Sequence, residues 1–281
     1  MKEISCETIA QAISELAVRA CCHLPADIHA AIAAAAETEP SPVGRSFLKQ
    51  MMENAAIAAE GNIPLCQDTG ITVVFADLGQ DVRITGGLLE DAVNEGVRRG
   101  YVGGYLRKSC VAEPLFERRN TGDNTPAVLH VRLVAGDTLR LRLSPKGAGS
   151  ENKSALKMLV PADGIEGVRR FVLDTVLRAG PNSCPPMVVG VGVGGSMELA
   201  ALLAKRAAVR DLDTHNPDTR YAALEEELLD MVNRTGIGPQ GFGGRTTALR
   251  VHVEWAPTHI AMLPVAVNIN CNVTRHAEIV L

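Results

Sequence analysis

The sequence is poor in aromatic residues, which make up 3% of its 281 positions and include a single tryptophan, Trp255. Proteins that bind single-stranded nucleic acid by base stacking need several such rings. The chain also lacks a basic stripe: its 28 lysine and arginine residues are spread along the sequence among 32 aspartate and glutamate residues. Since phosphate backbones are bound by clustered positive charge, we predict no nucleic-acid partner.

No segment has the pattern of a secretion signal or a membrane span. Glu3, Glu7 and Glu15 interrupt the N-terminal segment, where a signal peptide needs an apolar core. The most apolar later stretch, 185–204, contains two prolines, repeated glycines and Glu198, which do not suit a transmembrane helix. The seven cysteines are an odd number, which is typical of reduced thiols. We therefore expect a cytoplasmic protein that is not attached to a membrane.

Apolar residues are abundant, at 46% of the chain, and allow a large buried core. Residues 1–60 have helical spacing, and the remainder mixes strand and helix patterns. We predict a mixed α/β (α+β) fold, in which a helical N-terminal region precedes mixed β-sheets flanked by helices. Without a clear linker, residues 1–281 are expected to form one domain. The alternating segments 128–134 and 138–144 are predicted to pair as a hairpin.

Residues 62–70, NIPLCQDTG, place four functional side chains immediately before the apolar run 71–76. They are Cys66, Gln67, Asp68 and Thr69. A buried strand would have to find a partner for each polar group, since an unpaired buried group costs free energy. We therefore predict a turn that presents these side chains to a ligand.

Three cysteines share this setting, because Cys66, Cys184 and Cys271 each lie in a turn-forming stretch beside a strand pattern. Their wide separation excludes the C-x₂₋₄-C spacing of zinc fingers. Two interpretations remain open at this point. Buried cysteines often act only as small apolar residues. Alternatively, three thiolates can hold a four-iron cluster and leave one iron open to substrate.

A glycine-rich segment fits the dinucleotide-binding pattern G-x-G-x-x-G at Gly190, Gly192 and Gly195. We reject a dinucleotide site, because the glycines fall inside an apolar run and no good second strand follows for a βαβ unit. Tight backbone packing is the predicted reason for these glycines.

Several strings together carry a resemblance to a known family: IPLCQDTG, ERRNTGDNTPA, KGAGSENKS, NSCPPMVVGVGVGGS, NRTGIGPQGFGGRTTAL and PTHIAMLPVAVNINC. From about residue 10 to the end, the chain resembles the alpha subunit of two-subunit class I fumarate hydratase, an iron–sulfur hydro-lyase. The alpha subunit of L-tartrate dehydratase is the nearest related type and shares the CQDTG and CPP motifs. The strings NTGDNTPA and GAGSENKS look more like the fumarase branch.

The resemblance implies a [4Fe–4S] cluster, whose three protein ligands correspond to Cys66, Cys184 and Cys271. It also implies that Asp68 is the acid/base group of the reaction and that Gln67 faces the substrate. The alternative interpretation of Asp68 is a carboxylate that caps a turn or a helix.

Four further residues are implied to bind substrate: Arg107, Gly147, Gly149 and His259. A guanidinium group suits a dicarboxylate, and glycine allows close approach of a ligand to the backbone. Each also has a structural alternative, since most arginines are solvated, glycines form turns, and a strand histidine is more often structural.

The resemblance further implies reversible hydration of fumarate to (S)-malate, a reaction of the tricarboxylic acid cycle, with the open iron as Lewis acid. An L-tartrate or other hydroxy-acid dehydratase is the first alternative, and a non-catalytic structural or regulatory subunit is the second. Because the family's proposed threonine base belongs to a C-terminal domain or a beta subunit, we expect this chain to need a beta subunit in a hetero-oligomer.

Overall fold

A computed structural model describes residues 2–281 of the chain. Its helices are α1 Cys6–Cys22, α2 Ala26–Thr38, α3 Pro42–Gly61, α4 Leu89–Gly103, α5 Ala148–Glu151, α6 Gly164–Ala179, α7 Met197–Ala207 and α8 Thr219–Asn233. Its strands are β1 Lys2–Ser5, β2 Ile71–Gly79, β3 Val82–Thr85, β4 Val128–Val134, β5 Leu139–Lys146, β6 Ala155–Leu159, β7 Met187–Gly194, β8 Ala248–Ala256, β9 Leu263–Asn270 and β10 Ala277–Val280. The predicted mixed α/β class is confirmed.

The chain divides into two compact units. The first unit consists of the described residues up to Pro25, together with Ala55–Ala148 and Arg275–Leu281. The second unit consists of Ala26–Asn54 and Gly149–Thr274. The expectation that residues 1–281 act as one domain stays a prediction. Within residues 2–281, no helix combines the length and the apolarity that crossing a membrane requires.

The first unit contains a four-stranded sheet in the order β10-β5-β2-β4. Strand β2 runs parallel to β4 and antiparallel to β5, so it lies between them. The predicted hairpin of 128–134 with 138–144 is therefore wrong. The reason is burial: β2 is mostly buried and takes the central position, whereas β4 is largely accessible and lies at the edge.

Helices α1 and α4 cover the core of the first unit. Helix α1 begins at Ser5, whose side chain accepts a hydrogen bond from the Thr8 backbone N–H at 3.1 Å. Helix α4 packs closely against it, because a Cβ atom at Gly96 would lie only 2.5 Å from the carbonyl oxygen of Ala10. The apolar spacing of α1 buries Ile9, Ile13 and Leu16 in this core.

The second unit contains a four-stranded sheet in the order β6-β9-β7-β8. Its central strand β7 is buried throughout. A Cβ atom at Gly190 would lie 2.1 Å from the carbonyl oxygen of Ala204, and one at Gly192 would lie 2.1 Å from that of Ala200. Only glycine allows α7 to approach the strand this closely. The predicted tight packing of these glycines is confirmed.

The two sheets have the same strand arrangement. In the first unit, β2 is parallel to β4 and antiparallel to β5, and β5 also pairs with β10. In the second unit, β7 is parallel to β8 and antiparallel to β9, and β9 also pairs with β6. Ile71 of β2 pairs with Lys146 of β5, and Val188 of β7 pairs with Asn270 of β9. In each unit, therefore, the residues before the central strand meet those after its antiparallel partner.

Candidate functional site

In the first unit, the Cys66–Gly70 turn lies immediately before β2. Gln67 is exposed, and Cys66 and Asp68 are partly exposed. The Asp68 carboxylate accepts hydrogen bonds from the backbone N–H groups of Gly70 and Ala148, both at 2.9 Å. The structure thus joins the predicted turn to the end of β5. These contacts also agree with the capping interpretation of Asp68, so its acid/base role stays a prediction.

Buried side chains hold this turn beside the segment that contains Arg107. The Thr69 hydroxyl donates to the Arg107 carbonyl at 2.8 Å, and the buried Tyr101 hydroxyl donates to the Thr69 carbonyl at 2.8 Å. Asn124 accepts from the Ser109 N–H at 2.6 Å and donates to the Gly70 carbonyl at 3.1 Å. These bonds fix the backbone of Arg107 near Asp68, while its side chain is exposed. Sequence analysis missed Tyr101 and Asn124 as supports.

Gly147 follows β5 directly and lies beside Asp68. A Cβ atom at this position would lie 3.1 Å from Asp68 Oδ2 and 3.5 Å from Arg275 Nη2, so the glycine allows a close approach. Arg275 is buried, and its Nη1 has no hydrogen-bond partner among residues 2–281. Sequence analysis missed this cation. Gly149 is exposed and belongs to the second unit.

The second unit brings Cys184 and Cys271 to one end of its sheet. Cys184 lies just before β7 in a left-handed conformation, with φ 53° and ψ 64°, and is exposed. Cys271 follows β9 and is partly exposed. The next residue, Asn272, donates to the Cys184 carbonyl from its backbone N–H at 3.1 Å and from Nδ2 at 2.8 Å. The two cysteine turns are therefore joined directly.

A glycine-rich segment, 236–244, supports the Cys184 turn. The Gln240 backbone N–H donates to the Pro185 carbonyl at 2.9 Å. A Cβ atom at Gly241 would lie 2.2 Å from Cβ of Pro181, so this contact requires glycine. The motif NRTGIGPQGFGGRTTAL thus has a structural function next to Cys184.

The buried Glu39 carboxylate anchors the end of that segment. It accepts hydrogen bonds from the backbone N–H groups of Arg245 at 3.0 Å, Thr246 at 2.8 Å and Ser41 at 3.0 Å. Although burial opposes ionisation, the hydrogen bonds from Arg245, Ser41 and Thr246 lower the pKa of Glu39 below its ordinary value. Sequence analysis missed Glu39, because its partners Arg245 and Thr246 are 206 and 207 residues away in the chain.

The structure does not bring His259 to the end of the second-unit sheet where Cys271 lies. His259 is exposed in the connection before β9, and its Nδ1 accepts from the Ala261 N–H at 3.1 Å. Cys271 follows the opposite end of β9, whose eight residues span roughly 25 Å at the rise of an extended strand. The substrate contact of His259 stays a prediction from the resemblance alone.

Burial separates the cysteines into two groups. Cys21, Cys22 and Cys110 are buried. Burial raises the pKa of Cys21 to about 12 and also raises the pKa values of Cys22 and Cys110. These thiols stay protonated at neutral pH and are poor metal ligands. The three candidate cysteines and Cys6 are accessible or partly accessible, and within residues 2–281 no cysteine forms a disulfide. Thiolate sulfur is a ligand that soft metal centres prefer.

The chain is similar to known proteins over almost its whole length. It is 40% identical over 274 residues to the putative L(+)-tartrate dehydratase subunit alpha of Methanocaldococcus jannaschii, covering 96% of each chain. It is 33% identical to the L(+)-tartrate dehydratase subunit alpha of Escherichia coli strain UTI89, covering 88% of this chain and 82% of that one. It is 32% identical to the same subunit from strain K12, covering 92% and 86%.

A sequence model of the fumarate hydratase family matches residues 10–280. Together with the identities to the alpha subunits, this match confirms the resemblance predicted from the motifs. The chain therefore belongs to the fumarate hydratase (Fumerase) family of hydro-lyases.

Proposed function

We propose that this chain is the cluster-bearing alpha subunit of a hydro-lyase that dehydrates L-tartrate. The observation that carries the proposal is the similarity to subunits named L(+)-tartrate dehydratase alpha, which extends over 96% of the chain in one relative. The sequence motifs favoured fumarate, whereas the named relatives favour the tartrate alternative. The two substrates share four carbons and two carboxylates, so the same groups can serve both.

Cys66, Cys184 and Cys271 are the proposed ligands of a [4Fe–4S] cluster. The accessibility of all three thiols and the contact between the Cys184 and Cys271 turns support this assignment. Held by these three cysteines, such a cluster would supply Lewis-acid chemistry for a substrate oxygen.

The chain's own side chains are proposed to bind the substrate and to transfer a proton. Dehydration breaks one C–H bond and the C–O bond of the neighbouring hydroxyl, and the enol formed from tartrate becomes a keto acid. Asp68 is the proposed acid/base group, and its contacts with Gly70 and Ala148 hold the carboxylate in one orientation. Arg107 would bind a carboxylate through its guanidinium group. Gln67 and the backbone at Gly147 and Gly149 would complete the contacts.

A second, different chain is the proposed partner. The relatives are named as alpha subunits, which supports a beta subunit and a hetero-oligomer. That partner would supply the remaining groups of the reaction, including the expected threonine base. The chain alone is then expected to be inactive.

A second candidate substrate pair is fumarate and (S)-malate. It is supported by the family match to fumarate hydratase and by the strings NTGDNTPA and GAGSENKS. A non-catalytic structural subunit is the third candidate, and it predicts a colourless chain after anaerobic purification.

The test is a comparison of kcat/KM for L-tartrate and (S)-malate, using the chain reconstituted anaerobically with iron, sulfide and its partner. We expect a preference for tartrate of at least about tenfold, which corresponds to about 1.4 kcal/mol of transition-state binding. A preference of the same size for (S)-malate over L-tartrate would instead support the fumarate and (S)-malate pair. An iron-loaded complex that turns over neither compound would contradict both.

A further inference from the structure

The backbone of Cys184 is held in an unusual conformation. Its φ of 53° and ψ of 64° lie in the left-handed region, which is unfavourable for residues that carry a Cβ atom. Such a conformation persists only where its surroundings determine it, and it is often found at functional sites. The contacts that hold Cys184 therefore control where its thiol points.

Hydrogen bonds on both sides of Cys184 contribute to that orientation. The Cys184 N–H donates to the Pro181 carbonyl at 3.0 Å, which closes the preceding turn. On the other side, the Cys184 carbonyl accepts both hydrogen bonds from Asn272, from the backbone N–H and from Nδ2. The Nδ2 bond, at 2.8 Å, is the shorter of the two.

The Cys271 turn is held separately. The Cys271 carbonyl accepts from the Thr274 N–H at 3.1 Å and from the Thr274 hydroxyl at 2.7 Å. Asn272 follows Cys271 directly, so its side chain connects a firmly held turn to the strained residue Cys184. Asn272, which is joined covalently to Cys271 and by hydrogen bonds to Cys184, thus links the two candidate ligands.

We infer that Asn272 is a positioning residue, which fixes the Cys184 thiol relative to the Cys271 thiol so that both can ligate one metal centre. The inference deepens the proposed function and rests on it for the nature of that centre. Removing the Asn272 side chain takes away the shorter of its two bonds to the Cys184 carbonyl and leaves the backbone bond at 3.1 Å, which loosens the hold on Cys184. The thiol pair then loses its arrangement without a large loss of buried structure, because Asn272 is only partly buried.

Asn270 provides a matched control. It has the same side chain two positions earlier and also donates Nδ2 to a carbonyl at 2.8 Å, but the acceptor is Ala208. Asn270 is buried, so Asn270→Ala should lower the melting temperature more than Asn272→Ala. It should leave the thiol pair unchanged.

The first experiment uses the metal-free full chain and dibromobimane, which links two neighbouring thiols with loss of two bromides. Mass spectrometry of the peptides gives the yield of the link between Cys184 and Cys271. We expect a link in the wild type and in Asn270→Ala, and a yield about threefold to tenfold lower in Asn272→Ala, the range expected for one lost hydrogen bond. An unchanged yield in Asn272→Ala, or no link in the wild type, would overturn the inference.

The second experiment loads the chains with iron and sulfide under anaerobic conditions and follows release of iron to a chelator. Asn272→Ala should release iron about tenfold faster than the wild type, as is typical when a contact supporting a metal ligand is removed. A wild type that takes up no iron would contradict the proposed function, and the cross-linking result would still decide the role of Asn272. Should Asn272→Ala fold poorly, Asn272→Asp removes the donor at the same size.

Discussion

The two units share one strand arrangement but carry different side chains at its corresponding positions. Before the central strand, the first unit carries Cys66, Gln67 and Asp68, whereas the second unit carries Cys184. After the antiparallel partner of that strand, the first unit has Gly147 and the second has Cys271. The first unit thus offers a carboxylate, an amide and one thiol, and the second offers two thiols.

The contacts that close these two ends also differ. In the first unit a side chain accepts a hydrogen bond from backbone, because the Asp68 carboxylate receives the Ala148 N–H. In the second unit a backbone carbonyl accepts from a side chain, because Cys184 receives Nδ2 of Asn272. The topology therefore determines where the two segments meet, and the residues placed there determine what chemistry is available.

The largest expected effect comes from removing the negative charge of Asp68 in the first unit. Asp68→Asn should lower kcat of the reconstituted complex by about 10²–10⁴-fold, the usual contribution of a general acid or base. The cluster content should stay at the wild-type level, since no cysteine is changed. Turnover and iron content are measured on the same sample.

If Asp68 only caps the turn, the outcome of Asp68→Asn is different. The melting temperature would fall at most slightly, because the asparagine amide oxygen can still accept a backbone hydrogen bond, and kcat per folded molecule would stay close to that of the wild type. That result would remove the acid/base role from the proposed function.

A smaller effect is expected from the support of the same turn. Asn124→Ala leaves the Ser109 N–H and the Gly70 carbonyl without this partner, which should lower the free energy of unfolding by about 1–3 kcal/mol. We also expect a higher KM, because the Arg107 segment loses its attachment. Asn120→Ala is the control, since this side chain also makes two backbone hydrogen bonds, to the Lys108 carbonyl and from the Gly122 N–H, but both are exposed to solvent. Equal losses of stability in both variants would contradict the proposed support.

The smallest effect is a pH dependence in the second unit. Because the pKa of Glu39 is lowered by folding, its ionised form stabilises the protein above the ordinary value of 4.5, and this contribution is lost as the pH falls through the lowered pKa. Glu39→Gln should therefore be less stable than the wild type at pH 7, by about 0.5–1.5 kcal/mol, since the amide oxygen still accepts backbone hydrogen bonds. The difference should shrink in urea titrations below pH 4.5. A difference that grows in acid would contradict this sign.

Local sequence patterns predict individual secondary-structure elements well, but they do not predict which distant segments contact each other. The helical spacing of residues 1–60 predicts the region in which α1, α2 and α3 lie. The pairing of 128–134 with 138–144 failed, because alternation within two neighbouring segments contains no information about a third strand inserted between them. Two strands that are consecutive in the chain, such as β4 and β5, need not be neighbours in the sheet.

The same limit applies to the site. Motif resemblance identified Cys66, Cys184 and Cys271, because their neighbours form recognisable strings. It missed Glu39 and Asn272, which act on backbone groups 206 and 88 residues away. Nothing in the local sequence around a capping carboxylate or amide indicates a partner at such a distance.

The most direct test of the central claim is the iron content of single cysteine variants after anaerobic reconstitution with iron and sulfide. The wild type should hold about four irons per chain. Cys66→Ser, Cys184→Ser and Cys271→Ser should each lose the cluster, while Cys6→Ser, which changes a partly exposed thiol in α1, should retain it. Four-iron binding that survives in all three ligand variants would contradict the account.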